Sequence, residues 1–131
     1  MTKEQLQQYR SLKREYKQIE EELGRLETLM TSPRIQELTG MPRGGGSGDA
    51  LAALVARHIE LQERYRSRLS ELAAAQLAVE EAIDTLAPDE RRLMRYRYID
   101  GLRWEDICPV MNYSWRQVHR IHAQALDKLR E

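Results

Sequence analysis

Between residues 9 and 30 apolar side chains recur at alternating spacings of three and four: Tyr9, Leu12, Tyr16, Ile19, Leu23, Leu26 and Met30. That interval predicts an α-helix with one apolar seam, of the kind that pairs in a coiled coil. Lys13, Arg14 and Lys17 precede Glu20, Glu21 and Glu22 on the remaining faces, so opposite charges meet three or four positions apart on a solvated surface. From Thr31 to Asp49 the pattern collapses into TSPRIQELTGMPRGGGSGD, which holds five of the seven Gly and two of the four Pro. Inside a helix Gly costs about 1 kcal/mol and Pro about 3 relative to Ala, so this stretch reads as a linker. Ile35 to Leu38 has room for a turn of helix, and Gly44 to Gly48 is predicted mobile.

A second periodic stretch begins at Asp49, a suitable N-cap, and carries Leu51, Val55, His58, Gln62, Tyr65, Leu69, Leu72, Gln76, Val79, Ile83 and Leu86 at the same alternation. Unbroken, it would extend about 55 Å at 1.5 Å per residue. Two such helices joined by a linker fold back as an antiparallel hairpin. A two-helix hairpin leaves part of each seam in water, which a partner chain would cover. Polar His58, Gln62 and Gln76 at seam positions set register rather than bind a ligand.

After Leu86 the pattern changes. Pro88 followed by Asp89 and Glu90 marks a helix start, with Leu93, Met94, Tyr96, Tyr98 and Ile99 on its buried side and Asp100-Gly101 at its end. A short helix from Trp104 to Met111 follows, then a turn at Asn112-Tyr113, then a helix from Trp115 to about Arg130. Ser114 and Gln117 stand three apart, as in a capping box. Ile107, Met111, Val118, Ile121, Ala125, Leu126 and Leu129 face inward; Cys108 is small where two crossing helices approach. Asn112 sits where the turn needs positive φ. Together these features predict a helix-turn-helix.

Composition agrees with long solvated helices. Charged residues make up 32% of the chain, aromatics only 6%, and Phe is absent. The lone Cys108 forms no intramolecular disulfide, and the first residues lack the apolar stretch of a signal peptide. No run approaches the roughly 20 apolar residues of a membrane span. A cytoplasmic setting is expected. The formal net charge is zero, but residues 1–85 hold twelve Lys/Arg against fourteen Asp/Glu (−2) and residues 86–131 nine against seven (+2). That asymmetry permits a nucleic-acid face in the second part.

With the core assigned, Trp115, Arg116, Gln117, His119 and Arg120 point outward from the first two turns of the last helix, just after Ser114. In a helix-turn-helix this end enters the major groove, where Arg pairs with guanine and Gln with adenine. Ser114, Trp115, Arg116, Gln117, His119 and Arg120 are therefore the candidate DNA-binding residues. Gln117 has competing tasks, since a side chain folded back to cap the helix does not read a base at the same time. Trp115 suits a sugar or a thymine methyl as well as it suits a cover for the core. Arg91, Arg92, Arg95 and Arg97 are placed to reach phosphates. His119 and His122 are three apart, but no Cys or carboxylate stands at a supporting interval, so no metal site is expected. Arg43 in the linker is read as part of a plain flexible connection rather than as a minor-groove arm.

The segment LAPDERRLMRYRYIDGLRWEDICPVMNYSWRQVHRIHAQALDKLRE resembles region 4 of bacterial sigma factors, the part that reads the −35 promoter element. The whole chain is similar to the small sigma-like regulators of phages and prophages of Gram-positive bacteria, the ArpU/RinA type, which are associated with activating late phage genes. Two departures stand out. Arg103 occupies a place where the pattern usually has a Ser or Thr cap, and Pro109 removes a hydrogen bond from the short helix, predicting a kinked or shortened element.

The expectation is an all-α chain: a long antiparallel coiled-coil helical hairpin over residues 1–85, with its linker at 31–49, then a sigma region 4-like helix-turn-helix over 86–131. The resemblance implies a sequence-specific transcriptional regulator of phage or prophage late genes in a bacterial cell, with double-stranded DNA and host RNA polymerase as partners. Homo-oligomerisation through the coiled coil is expected as well, because one small helix-turn-helix contacts few base pairs. No cofactor is implied. A phage terminase small subunit and a helical scaffold that never binds DNA are the other readings. No nucleophile-base pair or phosphate-cradling loop suggests an enzyme.

Overall fold

A computed structural model describes residues 1–31 and 46–130, with only the backbone of Gly46 and Ser47. The described residues form α1 (Lys3–Met30), α2 (Gly46–Ile83), α3 (Pro88–Met94) with a π-helical turn (Arg95–Ile99), α4 (Trp104–Met111) and α5 (Trp115–Leu129). No strand occurs among them. The all-α expectation holds. Helix α2 begins at Gly46, ahead of the expected N-cap Asp49, which instead adds an acid to the first turn. Gly46 to Gly48, expected mobile, are thus helical. The remaining expectations for the linker, including a turn at Ile35 to Leu38 and the role of Arg43, lie outside the described residues.

The chain divides into two compact units, one of Arg14–Ser70 and one of Met1–Lys13 with Glu71–Glu131. In the first, α1 and α2 run antiparallel. Glu15 pairs with Arg68 at 3.1 Å, Tyr16 with Tyr65, and Glu22 with Arg57 at 2.7 Å, while His58 Nε2 lies 3.2 Å from Glu27. Each step up α1 meets a step down α2. Leu61, Ile19 and Leu23 form the buried cluster, with Leu26 and Tyr65 against it. The Tyr16 and Tyr65 rings stack at 5.0 Å and their hydroxyls share a 2.7 Å hydrogen bond, which pushes the Tyr16 phenol up to about 12.

The seam of α1 follows its sequence pattern, and that of α2 does so at His58, Tyr65, Leu72, Val79, Ile83 and Leu86 but departs from it at Val55, Gln62 and Leu69. Leu61 is buried where the pattern puts Gln62, Arg68 faces Glu15 where it puts Leu69, and Val55 and Leu69 are 39% and 44% exposed. Both phasings fit a three-four alternation, because α2 carries apolar residues on adjacent stripes. The observed stripe buries apolar Leu61 in place of Gln62, and it brings Arg68 and Arg57 toward Glu15 and Glu22 of α1. Of the seam polar residues, His58 reaches across to Glu27, while Gln76 bonds Glu80 of its own helix at 3.4 Å.

In the other unit, α5 packs against α3 and α4. Leu93, Ile107, Met111 and Val118 form the core, with Tyr96, Leu102, Trp104, Cys108, Tyr113 and Ile121 packed on it. Pro88 occupies N1 of α3, and Glu90 folds back to accept from the Ala87 amide at 3.3 Å and from Lys128 Nζ of α5 at 2.5 Å. A carboxylate buried to this depth needs such donors. Near the end of α3 the ladder slips by one residue: Asp100 N–H donates to Arg95 O and Leu102 N–H to Tyr96 O, closed by Gly101 at φ +72°. The start of α1 also belongs to this unit. The Met1 ammonium donates to Leu129 O at 2.6 Å and Lys13 Nζ to Ile99 O, so two cations meet carbonyls at helix C-terminal ends.

The local departure at Leu61 and Leu69 generates a test. Leu61→Ala should cost about 2–5 kcal/mol in urea denaturation, as large-to-small changes in a closed core do, whereas Leu69→Ala should stay within about 0.5 kcal/mol of the parent. Equal losses for both would refute the observed phasing of α2.

Candidate nucleic-acid interface

The turn between α4 and α5 is set by backbone chemistry. Asn112 adopts the left-handed conformation (φ 58°, ψ 40°), as its position in the sequence predicts. Its amide donates to Pro109 O and the Tyr113 amide to Cys108 O, a Schellman pair that satisfies two terminal carbonyls of α4. Pro109 lies within α4 without ending it; the helix continues to Met111. At its start, Arg103 supplies no cap and pairs instead with Asp106 at 3.2 Å and Glu105 at 3.6 Å, acids that sit favourably in the first turn.

Helix α5 starts from a full capping box. The Gln117 amide donates to Ser114 Oγ at 3.2 Å, and the Ser114 amide donates to Gln117 Oε1 at 2.9 Å. Ser114 and Gln117 are exposed, yet the Gln117 side-chain carbonyl is engaged by the cap, the competing task its position implies. Trp115, Arg116 and Arg120 are exposed on the same two turns, while Val118, His122, Ala125 and Leu129 are buried on the opposite face.

His119 departs from the outward position expected of it. Its ring lies between two indoles, 4.5 Å from Trp104 and 4.4 Å from Trp115, and its buried Nε2 has no hydrogen-bond partner. Trp104 in turn carries the Arg97 guanidinium over its face at 4.5 Å. Arg97 also donates to Leu102 O at 3.1 Å, and Arg91 to Leu86 O at 3.1 Å. Two of the four arginines expected at phosphates are thus engaged within the domain. Arg95 lies 3.9 Å from Glu80, and Arg92 is exposed beside Asp89 and Tyr113, whose own side chains bond at 3.0 Å.

His122 is a core residue that the hydrophobic pattern does not announce. It is buried, its Nε2 lies 2.8 Å from the Tyr98 hydroxyl, and its ring meets Trp104 edge-on at 4.8 Å. Burial pushes its pKa down to about 4, and the positive surroundings of Lys3, His119 and Arg97 act in the same direction. Burial likewise raises the Tyr98 phenol, so at neutral pH both partners are uncharged. The π-helical turn brings Tyr98 to His122, and that turn has no marker in the spacing of apolar residues. Among the described residues, no three His, Cys, Asp or Glu side chains group as metal ligands, and no helix is long and apolar enough to cross a membrane.

Residues 82–131 match the family model described as Sigma-70, region 4. The match begins at the last turn of α2 and takes in α3 to α5, so this part of the chain is a sigma-70 region 4-like helix-turn-helix domain, a type that binds DNA. No curated protein and no solved structure matches the chain.

The buried histidine sets a pH dependence. Its folded pKa of about 4 lies below its ordinary value of 6.5, so between these values the unfolded chain takes up a proton that the folded one refuses. Stability should therefore fall as pH drops from about 6.5 to about 4 and then level off, by about 3 kcal/mol in all. Urea denaturation across this range, compared with His122→Gln, checks it: the variant should lose that part of the slope, and an identical profile would contradict the assignment.

Proposed function

We propose that this protein is a sequence-specific DNA-binding transcriptional regulator that activates phage or prophage late genes in a sigma-like manner, alongside bacterial host RNA polymerase and in the cytoplasm. The observation that carries the reading is the two-sidedness of α5. Its first two turns expose Trp115, Arg116 and Arg120, and its opposite face is buried. A capped helix end with two unburied guanidinium groups suits the major groove, where Arg pairs with guanine O6 and N7. The region 4 match supports the placement of that helix on DNA.

In this reading the six candidate residues divide their tasks. Arg116 and Arg120 read base edges, and Trp115 lies against the groove. Ser114 and Gln117 fix the start of the helix, and His119 supports Trp115 from behind. Arg92 supplies a phosphate contact. Residues 86–131 carry DNA binding, and residues 1–85 carry self-association, for which the exposed Val55 and Ile59 of α2 offer apolar surface. Two copies would then address two half-sites and reach an affinity that one small domain does not. No step of this role needs catalysis or a cofactor.

Binding sites selected from random duplex DNA test the proposal. Arg116→Ala or Arg120→Ala should weaken binding by about 1–3 kcal/mol and relax preference at one base pair, whereas Arg92→Ala should weaken all sequences alike and lower the salt slope by about 1. Unchanged affinity in all three variants would favour a protein-binding scaffold. A promoter-reporter that stays silent despite tight binding would point to DNA packaging.

A further inference from the structure

Trp115 is the first residue of α5 and is 54% exposed, beside Arg116 and on the same helix end as Arg120. It is absent from the side chains packed on the Leu93, Ile107, Met111 and Val118 core, a place that Trp104 takes instead. The indole is nonetheless held. It lies on the His119 ring at 4.4 Å and 50°, that ring lies on Trp104 at 4.5 Å and 43°, and Arg97 covers Trp104 at 4.5 Å. These contacts run from the π-helical turn to the surface, so the aromatic group is presented on a fixed support.

A large apolar face supported from behind and open in front needs an apolar counterpart. In the major groove the base edges present hydrogen-bonding groups and one apolar substituent, the methyl at C5 of thymine. The same methyl occurs on 5-methylcytosine. Gln117, the uncharged residue of this end able to approach a base, has its carbonyl engaged by the Ser114 amide. With Arg116 and Arg120 suited to guanine, discrimination of a pyrimidine methyl at this end of the helix is left to the indole.

We propose that Trp115 reads the C5-methyl group of a pyrimidine in the major groove, and that His119 is its positioning residue, setting the plane of the indole through the stack on Trp104. The inference rests on the DNA-reading role proposed above. It deepens that role by naming the chemical group recognised.

The test uses the full chain and a duplex selected from a random library, with each thymine replaced in turn by deoxyuridine, which differs only by lacking the methyl. One thymine in each half-site should show about a fourfold loss of affinity, the worth of one buried methyl. Replacing that base pair by cytosine and by 5-methylcytosine should show the methylated form binding better, which separates the methyl itself from other features of thymine. Trp115→Ala should abolish the deoxyuridine penalty, and His119→Ala should reduce it while guanine preference through Arg116 and Arg120 persists. No penalty at any thymine with the unaltered protein, or a penalty that survives Trp115→Ala, overturns methyl reading and leaves DNA reading intact. A penalty that survives His119→Ala removes its positioning role. Failure of the unaltered protein to bind any duplex at low salt overturns both proposals.

Discussion

The left-handed turn at Asn112 is the constraint on which the C-terminal domain depends. A residue at φ 58° reverses the chain within one step, and its own amide and that of Tyr113 then close onto the carbonyls of Pro109 and Cys108. With the turn closed, Ile107 and Met111 of α4 meet Val118 of α5, and this meeting decides which side of α5 faces away from the core. The capping box at Ser114 adds a defined first turn, worth about 1 kcal/mol. The exposed positions of Arg116 and Arg120 follow from these two local devices and not from any contact of their own.

Polar groups inside the domain have opposite fortunes. Glu90 is tied to Lys128 and to the Ala87 amide, and His122 to Tyr98, so each joins helices that are distant in sequence. Yet Glu90 Oε2 and His119 Nε2 are buried without partners. An unmet buried polar atom costs on the order of 1–3 kcal/mol. For His119 the compensation is aromatic: two indole contacts, whose geometry holds the ring between α4 and the surface.

Much of this was legible in the residues themselves. Pro88 with its two acids, Asn112 before Tyr113, and Ser114 three residues ahead of Gln117 are short-range signals whose chemistry acts where they stand. The seam of α2 was legible in part: Leu72, Val79 and Ile83 are buried where the spacing puts them, but a strict three-four count takes Gln62 in place of Leu61 and takes Leu69, which is exposed where Arg68 turns to Glu15. The role of His119 was hidden. Helical spacing puts it beside Arg116 and Arg120, but the ring is drawn back by Trp104, a residue fifteen positions earlier whose rotamer no periodicity reveals. Spacing likewise puts Arg91 and Arg97 on the outer face, whereas backbone carbonyls of Leu86 and Leu102 claim them.

The π-helical turn over Arg95–Ile99 holds one residue more than an α-helical path would. Removing a residue there would restore an ordinary helix and swing the downstream helices α4 and α5 by about 100°, since 3.6 residues complete a turn. Tyr98 would leave His122, and Arg97 would leave Trp104. The segment is therefore intolerant of length change: in any lineage of such chains, insertions and deletions are expected to avoid these five positions.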